Sequence, residues 1–490
     1  MAQVAYHKKH NDHTQHKYVP RRPCDGNVFS VVRDNWKKFE MQATTSDKSP
    51  ARYISKEFEE FLKCGILAHG FVRLKCDSCD ENRIVPLSCK RRGFCPSCCG
   101  RRMNEGSAFL VDNVFPRVPI RQWVLSFPMP VRFWMARNPK LITQALEIFH
   151  RVIRTHYKSQ YKNSVKNIEP GFEILTGAVT VVQRFGSALN LNIHFHALVL
   201  DGVFVVNEVN GKKVATFIPA TKPTREEFLD VTQKIQIRML RALQRLGLVQ
   251  KLEAESGGDG IQNDDSIEAI CQGASVQYRL AMGSAAGARI RKIGSLGFLG
   301  EEPILESDLS AIIGGYSLHA NTFIHKNNRA ELERLCRYIL RPPIAEERLE
   351  VRGDKVIYKL KSQWRDGTKA VLFSGTEFIE KIVALIPQPR IHGTRFHGIL
   401  APHSAFRSLV VPKREKTVQS EPTEENSEPK SDPTRLRWAE LLRRVFGVDL
   451  EKCPCGGKLK FIAAVMDRDS IKKILHHMNI PYFIPEFAPP

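Results

Sequence analysis

The residues with the clearest chemical meaning are His194 and His196, in the stretch Asn192-Ile193-His194-Phe195-His196-Ala197-Leu198-Val199-Leu200. The apolar run predicts a strand, and side chains two apart on a strand share one face, so both imidazoles point the same way while Phe195 points to the other. Imidazole is the commonest metal-ligand side chain, and two of them side by side on a rigid strand can share one divalent cation. Upstream, Val181-Val182-Gln183-Arg184-Phe185 reads as a second strand, joined to the first through a turn at Gly186-Ser187-Ala188. The two should pair antiparallel and bring the Gln183 side-chain oxygen towards the histidine face. Three mixed nitrogen and oxygen ligands with open positions would describe a catalytic cation, magnesium or manganese, able to polarise a phosphoryl oxygen. Histidines satisfied by backbone groups are the plainer alternative.

A nucleophile is offered by Arg329-Ala330-Glu331-Leu332-Glu333-Arg334-Leu335-Cys336-Arg337-Tyr338-Ile339-Leu340-Arg341. Leu332, Leu335 and Ile339 form an apolar helical stripe, and Tyr338 stands beside Arg334, Arg337 and Arg341. Such arginines would bind a phosphate and stabilise the phenolate that attacks it. The alternative is a tyrosine packing at a helix end. His319, on the strand before this helix, is a spare ligand or acid-base candidate, with a structural role as its plainer reading.

Cysteines carry the third signal. Cys76-x2-Cys79 and Cys95-x2-Cys98 have the spacing of two paired-thiolate turns that close one tetrahedral zinc site, with Cys89 and Cys99 open as substitutes. Lys90, Arg91, Arg92, Arg101 and Arg102 flank the second pair and would suit phosphate contacts that position nucleic acid without reading bases. Cys453-Pro454-Cys455 supplies two further thiolates, which His476, His477 or another residue would have to complete.

The elements that must position these groups follow from the pattern. Residues 1–50 read as a polar N-terminal tail with histidines at His7, His10, His13 and His16, and 51–118 as a zinc-binding domain opening with a helical pattern over 51–75. Residues 119–410 form a catalytic domain in which strands at 121–127, 173–185 and 190–200 and a helix at 139–160 give the order β-α-β-β. A helix over 224–250, an irregular glycine-rich stretch over 254–310, a strand near 315–325, a helix at 328–340 and a hairpin at 355–361 and 369–373 complete it. Residues 411–434 have a linker composition, and 435–490 form a small C-terminal module whose Arg435, Arg437, Arg443 and Arg444 offer a second DNA contact.

The chain of 490 residues holds 74 Lys and Arg against 52 Asp and Glu, a net +22, which makes an anionic polymer the first partner to consider. It has neither a long apolar run nor an apolar leader, so a soluble, cytoplasmic protein with no membrane partner is expected.

Taken together, the two-histidine strand, the polar residue on its neighbour and the tyrosine in a basic helix resemble the HUH endonuclease superfamily. More closely, Ser88-Cys89-Lys90-Arg91-Arg92-Gly93-Phe94-Cys95-Pro96-Ser97-Cys98, Arg121-Gln122-Trp123-Val124-Leu125-Ser126, the Gln183 strand, His194-Phe195-His196 and Leu335-Cys336-Arg337-Tyr338-Ile339 look like the insertion-sequence-91 family and its ISCR relatives, over roughly residues 55–400. The resemblance implies an α+β, Rep-like antiparallel sheet with helices, preceded by a cysteine-rich zinc-binding domain. It implies that Tyr338 attacks a single-stranded DNA phosphodiester, leaving a 5′-phosphotyrosine and a free 3′-OH, with His194, His196 and Gln183 as metal ligands and a structural zinc elsewhere. Relatives with paired catalytic tyrosines carry them about a helical turn apart, whereas this chain has Arg334 and Pro342 at those positions. No Walker-type phosphate loop or helicase motif is visible, so host replication machinery would be a partner. A rolling-circle replication initiator and a non-catalytic zinc-dependent DNA-binding regulator are the alternatives.

Overall fold

The computed structural model describes residues 22–79, 81–165, 172–248, 265–294, 308–412, 451–485 and 488–489. The N-terminal part starts as helix: α1 (Asn27–Thr45) buries Val28, Val32, Trp36 and Phe39, spaced to share one helical face. In α2 (Arg52–Lys63), Phe58 stacks on Trp36 with ring centroids 4.0 Å apart. The chain then leaves the helix at Gly65, whose φ of +79° suits glycine. β1 (Phe71–Cys76) and β2 (Asn82–Pro86) form an antiparallel hairpin, and α3 (Pro96–Asn113) begins with proline at its first position. Two expectations are corrected here. Residues 27–45, placed in a polar tail over 1–50, form a core helix, because their apolar stripe survives an overall polar composition. The helical pattern over 51–75 stops at Lys63, and 71–76 is a strand.

The central part runs β3 (Ile120–Ser126), α4 (Met129–Arg137), α5 (Pro139–Ser164), β4 (Glu173–Leu175), β5 (Gly177–Phe185), β6 (Leu191–Leu200), β7 (Gly202–Val209) and β8 (Lys212–Pro219). It continues through α6 (Arg225–Arg245), α7 (Ile267–Val276), β9 (Arg291–Ile293), β10 (Ser310–Ile313), β11 (Tyr316–His319), β12 (Phe323–Ile324) and α8 (Arg329–Ile339). Then come β13 (Leu349–Arg352), β14 (Lys355–Lys359), β15 (Ala370–Ser374), α9 (Gly375–Leu385), β16 (Thr394–Gly398) and α10 (Arg407–Val410). The β-α-β-β order is present, as is the hairpin now seen as β14 and β15. The stretch expected to be irregular contains α7, capped by the Ser266 hydroxyl, which accepts from the Ala269 N–H.

The main sheet has the order β10-β11-β3-β6-β5-β16, with β12 also on β3, and every pairing is antiparallel. The fold is therefore α+β. Strand alternation divides its side chains between two covers. Trp123, Leu125, Phe195 and Ala197 face α5 and α6, with Trp123 stacked on Phe228 at 5.7 Å. Val179, Val181, Leu198 and Leu200 face α3 and α8 through Leu110, Val111, Leu332, Cys336 and Ile339. Arg329, at the start of α8, donates to the carbonyls of Val111, Phe115 and Pro116, which satisfies the end of α3 and fixes one helix against the other.

On the α5 side, Arg121 and Asp201 form a buried two-pronged ion pair at 2.9 and 2.8 Å, and the Tyr157 hydroxyl donates to the same carboxylate at 2.7 Å. At the C-terminal end, β17 (Leu459–Val465) pairs antiparallel with β1 to make the sheet β17-β1-β2, followed by α11 (Arg468–His477). The module expected at 435–490 thus docks, in its described part, on the N-terminal hairpin. Nearly all of the linker segment and Arg435, Arg437, Arg443 and Arg444 lie outside the described residues. Among the described residues no helix is long and apolar enough to cross a membrane.

Candidate active site and cysteine clusters

In the β3-β6-β5 register, His194 lies between Ser126 and Gln183, and His196 between Val124 and Val181. Both imidazoles are buried on the face covered by α3 and α8, with Nε2 atoms 3.1 Å apart. Their protonation follows from the partners. His194 Nδ1 sits 2.8 Å from the Asn192 carbonyl, which can only accept, so Nδ1 carries the hydrogen and Nε2 the lone pair. His196 Nε2 must then donate to His194, and its Nδ1 accepts from the Gln122 amide at 2.9 Å. Burial pushes His194 down to about 4, helped by Arg341 and Arg132. Burial, with His194 and Arg341, holds His196 well below the usual imidazole range. Both imidazoles are thus neutral, as a cation site needs, but His196 Nε2 can ligate only once its hydrogen has moved to Nδ1. Gln122 was not singled out in the sequence. Its signal is periodic: it stands two residues from Val124 on the strand face opposite His196.

Gln183 occupies the expected place opposite His194, but its amide nitrogen donates to the Ile339 carbonyl at 2.6 Å. It thereby anchors the end of α8. Its Oε1 is buried with no hydrogen-bond partner, which is costly unless another donor or a cation takes the lone pairs. Two histidine nitrogens and an orphaned amide oxygen on one face form a donor set that fits a hard divalent ion.

Tyr338 rides on α8 directly above this face. Its ring centroid is 6.1 Å from that of His196, with the planes crossed at 82°. The Arg341 guanidinium and the Lys361 ammonium lie against the phenol ring, each 4.3 Å from its centroid. Partial burial raises the Tyr338 phenol, but the hydrogen bond and charge of Arg341 and the charge of Lys361 outweigh it and hold the phenol below its ordinary value. Tyr338 is 38% exposed, whereas Tyr316 and Tyr358 are buried, so only Tyr338 of the three is open to a polymer. The other arginines of the helix play different parts. Arg337 pairs with Glu333 at 3.2 Å, and Arg334 is exposed one turn before Tyr338. His319 bonds to Ser310 at 3.0 Å and is exposed on β11.

A cavity of about 740 Å³ separates α3 from the edge of β5 and the end of α8. Lys90, Arg92, Arg101 and Arg102 line one wall, and Gln183 and Arg341 the other. The structure thus brings three of the four expected zinc-domain arginines to the groove that Gln183 and Arg341 also line. Arg91 is not on that wall; its carbonyl instead accepts from Arg102 at 2.7 Å. Arg101 also pairs with Glu105 at 2.6 Å.

The cysteines regroup. Cys76, Cys79, Cys95 and Cys98 do not meet; they divide between two clusters, Cys64-Cys89-Cys95-Cys98 and Cys76-Cys79-Cys453-Cys455, each with its sulfurs within 4.8 Å of one another. The hairpin is the physical reason. Cys76 lies at its tip, and a strand of this length puts the tip about 17 Å from the base where Cys64 and Cys89 converge. In the first cluster the closest sulfurs are 3.4 to 3.7 Å apart. Four thiolates at about 2.3 Å from a tetrahedral zinc would stand about 3.8 Å apart, so the set fits that ion. Cys89 is therefore in the cluster, Cys99 is not, and Cys64 was missed because it lies outside any paired-cysteine spacing.

Comparison with known families matches this division of the chain. The Zn_Tnp_IS91 model, a transposase zinc-binding domain, matches residues 31–127, and the Y2_Tnp transposase model matches residues 177–407. No curated protein and no solved structure matches the chain. The first model spans α2, the hairpin and the first cysteine cluster, which supports a structural zinc there, and the second spans the histidine strand and Tyr338. The chain therefore belongs to the transposases of the insertion-sequence-91 type, and DNA is its substrate.

Proposed function

We propose that this transposase nicks and joins single-stranded DNA by transesterification through Tyr338. The observation that carries the reading is the placement of an exposed, cation-flanked phenol 6.1 Å, ring to ring, from His196. The Tyr338 oxygen, deprotonated more readily because Arg341 and Lys361 stabilise the phenolate, attacks the scissile phosphorus. The bond to the 3′-oxygen breaks, that oxygen takes up a proton, and a 5′-phosphotyrosine remains. A later 3′-OH attacks the phosphotyrosine and returns the phenol, so the bond energy is conserved without ATP. His194, His196 and the Gln183 Oε1 would hold a magnesium or manganese ion, which when bound polarises the phosphoryl oxygen. Gln183 also fixes the end of α8 and with it the direction of Tyr338.

Single strands suit the groove, whose cations track a backbone: Lys90, Arg92, Arg101 and Arg102 lead towards Arg341 beside the nucleophile. DNA synthesis from the released 3′-OH falls to host replication enzymes. Rolling-circle-type transposition is the process this chemistry serves. Incubation with end-labelled single-stranded DNA and manganese tests the proposal: a covalent adduct is expected, absent in Tyr338→Phe and strongly reduced in His194→Ala with binding retained. An adduct that persists in Tyr338→Phe would refute it.

A further inference from the structure

Half of the cysteines needed for the second cluster come from a part of the chain that neither family model spans. Cys76 and Cys79 lie at the tip of the β1-β2 hairpin, and Cys453 and Cys455 arrive from more than 370 residues away, with Cys76 to Cys455 at 3.5 Å and Cys79 to Cys453 at 3.4 Å between sulfurs. These separations are too long for disulfides, whose sulfurs are about 2.05 Å apart, and close to the spacing of thiolates around one zinc. The two turns are also built alike. The Ser78 N–H donates to Cys76 Sγ and the Gly457 N–H to Cys455 Sγ, both at 3.4 Å.

The turns interlock. The Asp77 N–H donates to the Lys458 carbonyl at 3.0 Å, and the Lys458 N–H donates back to the Asp77 carboxylate at 2.9 Å. A Cβ at Gly457 would lie 2.5 Å from Ser78 Oγ and 2.7 Å from Cys76 Sγ, so only glycine permits the approach. Among the described residues, what else joins the C-terminal module to the hairpin is modest: the β1-β17 ladder, broken by a register shift at Arg73/Leu74, an exposed Lys460–Asp77 ion pair at 3.7 Å, and a small core of Phe71, Ile84, Ile471 and Leu475 with half-buried neighbours. So little apolar burial is the setting in which small units depend on a metal for their folding energy.

We propose that Cys76, Cys79, Cys453 and Cys455 form a second structural zinc site that staples the C-terminal module to the N-terminal zinc-binding domain. Docking of the module is then metal-dependent, and the chain carries two zinc ions in all-cysteine sites. This holds whether or not Tyr338 is the nucleophile.

The test uses the full chain with a protease recognition sequence inserted between residues 420 and 430. Two zinc ions per chain are expected, with only sulfur neighbours at the zinc absorption edge. After cleavage the C-terminal fragment should remain bound through gel filtration. Cys453→Ser/Cys455→Ser should retain one zinc, reporting the first cluster, and release the fragment. Gly457→Val, which keeps all four thiols, should do the same, while Cys24→Ser, outside both clusters, should keep two ions and the fragment. One zinc per chain in the unaltered protein, a Cys76–Cys455 or Cys79–Cys453 disulfide found by mass spectrometry, or a fragment that stays bound in both variants would overturn the proposal.

Discussion

Replacing Gln122 with leucine isolates the hydrogen bond that sets the histidine pair. The Gln122 amide donates to His196 Nδ1 at 2.9 Å in a buried site, which matches the tautomer with its proton on His196 Nε2, where it points at His194. Cation binding needs the opposite tautomer. A half-turn of the amide presents Gln122 Oε1 to a protonated Nδ1 and frees Nε2, so the one side chain supports both states. Leucine removes both partners while nearly preserving volume. Partners of this kind are worth about 10- to 100-fold in metal affinity, or about 1.4 to 2.7 kcal/mol.

The unpartnered His196 nitrogen adds about 1–3 kcal/mol of lost stability, which chemical denaturation measures separately. Manganese titration of the zinc-loaded protein, followed by electron paramagnetic resonance, should therefore show a dissociation constant raised 10- to 100-fold in Gln122→Leu. Gln122→Glu, whose carboxylate can only accept, should match or exceed the parent affinity by locking Nδ1–H in place. Affinity within about twofold of the parent in Gln122→Leu would refute the assignment of Gln122 as the positioning residue.

Arg341→Met removes the hydrogen-bonding cation that together with Lys361 outweighs burial at Tyr338, so the phenol should rise towards and above its ordinary value. Because the attacking phenolate fraction grows with pH up to that value, the rising limb of adduct formation against pH should move to higher pH, with about tenfold lower rate at neutral pH per unit moved. An unmoved limb would show that the charge acts elsewhere. Asp201→Asn should destabilise the protein by about 3–5 kcal/mol in urea denaturation, because it leaves Arg121 buried beside a neutral amide; a loss under about 1 kcal/mol would contradict the role given to this pair.

Much of the site was legible because strands and helices repeat with short periods. The alternation around Phe195 put both histidines on one face, the turn at 186–188 set Gln183 opposite His194, and the stripe of Leu332 and Ile339 turned Tyr338 outward. Local rules decide such features, and the fold class followed from them. The N-terminal assignments failed where averaging hid a pattern: a polar composition masked the Val28-Val32-Trp36-Phe39 stripe of α1.

Tertiary structure alone decided which cysteines are partners, because a hairpin spaces its two ends rigidly and the β17 strand returns from far along the chain to complete the cluster at the tip. It alone decided that Gln183 ties down α8, that Gln122 partners His196 Nδ1 and that Lys361 reaches the phenol. The sequence by itself determined which groups could ligate, attack or bind phosphate, since those properties belong to residue types and near-neighbour spacing. Which of them meet depends on contacts between distant segments, and those are fixed only when the sheet faces and helices pack.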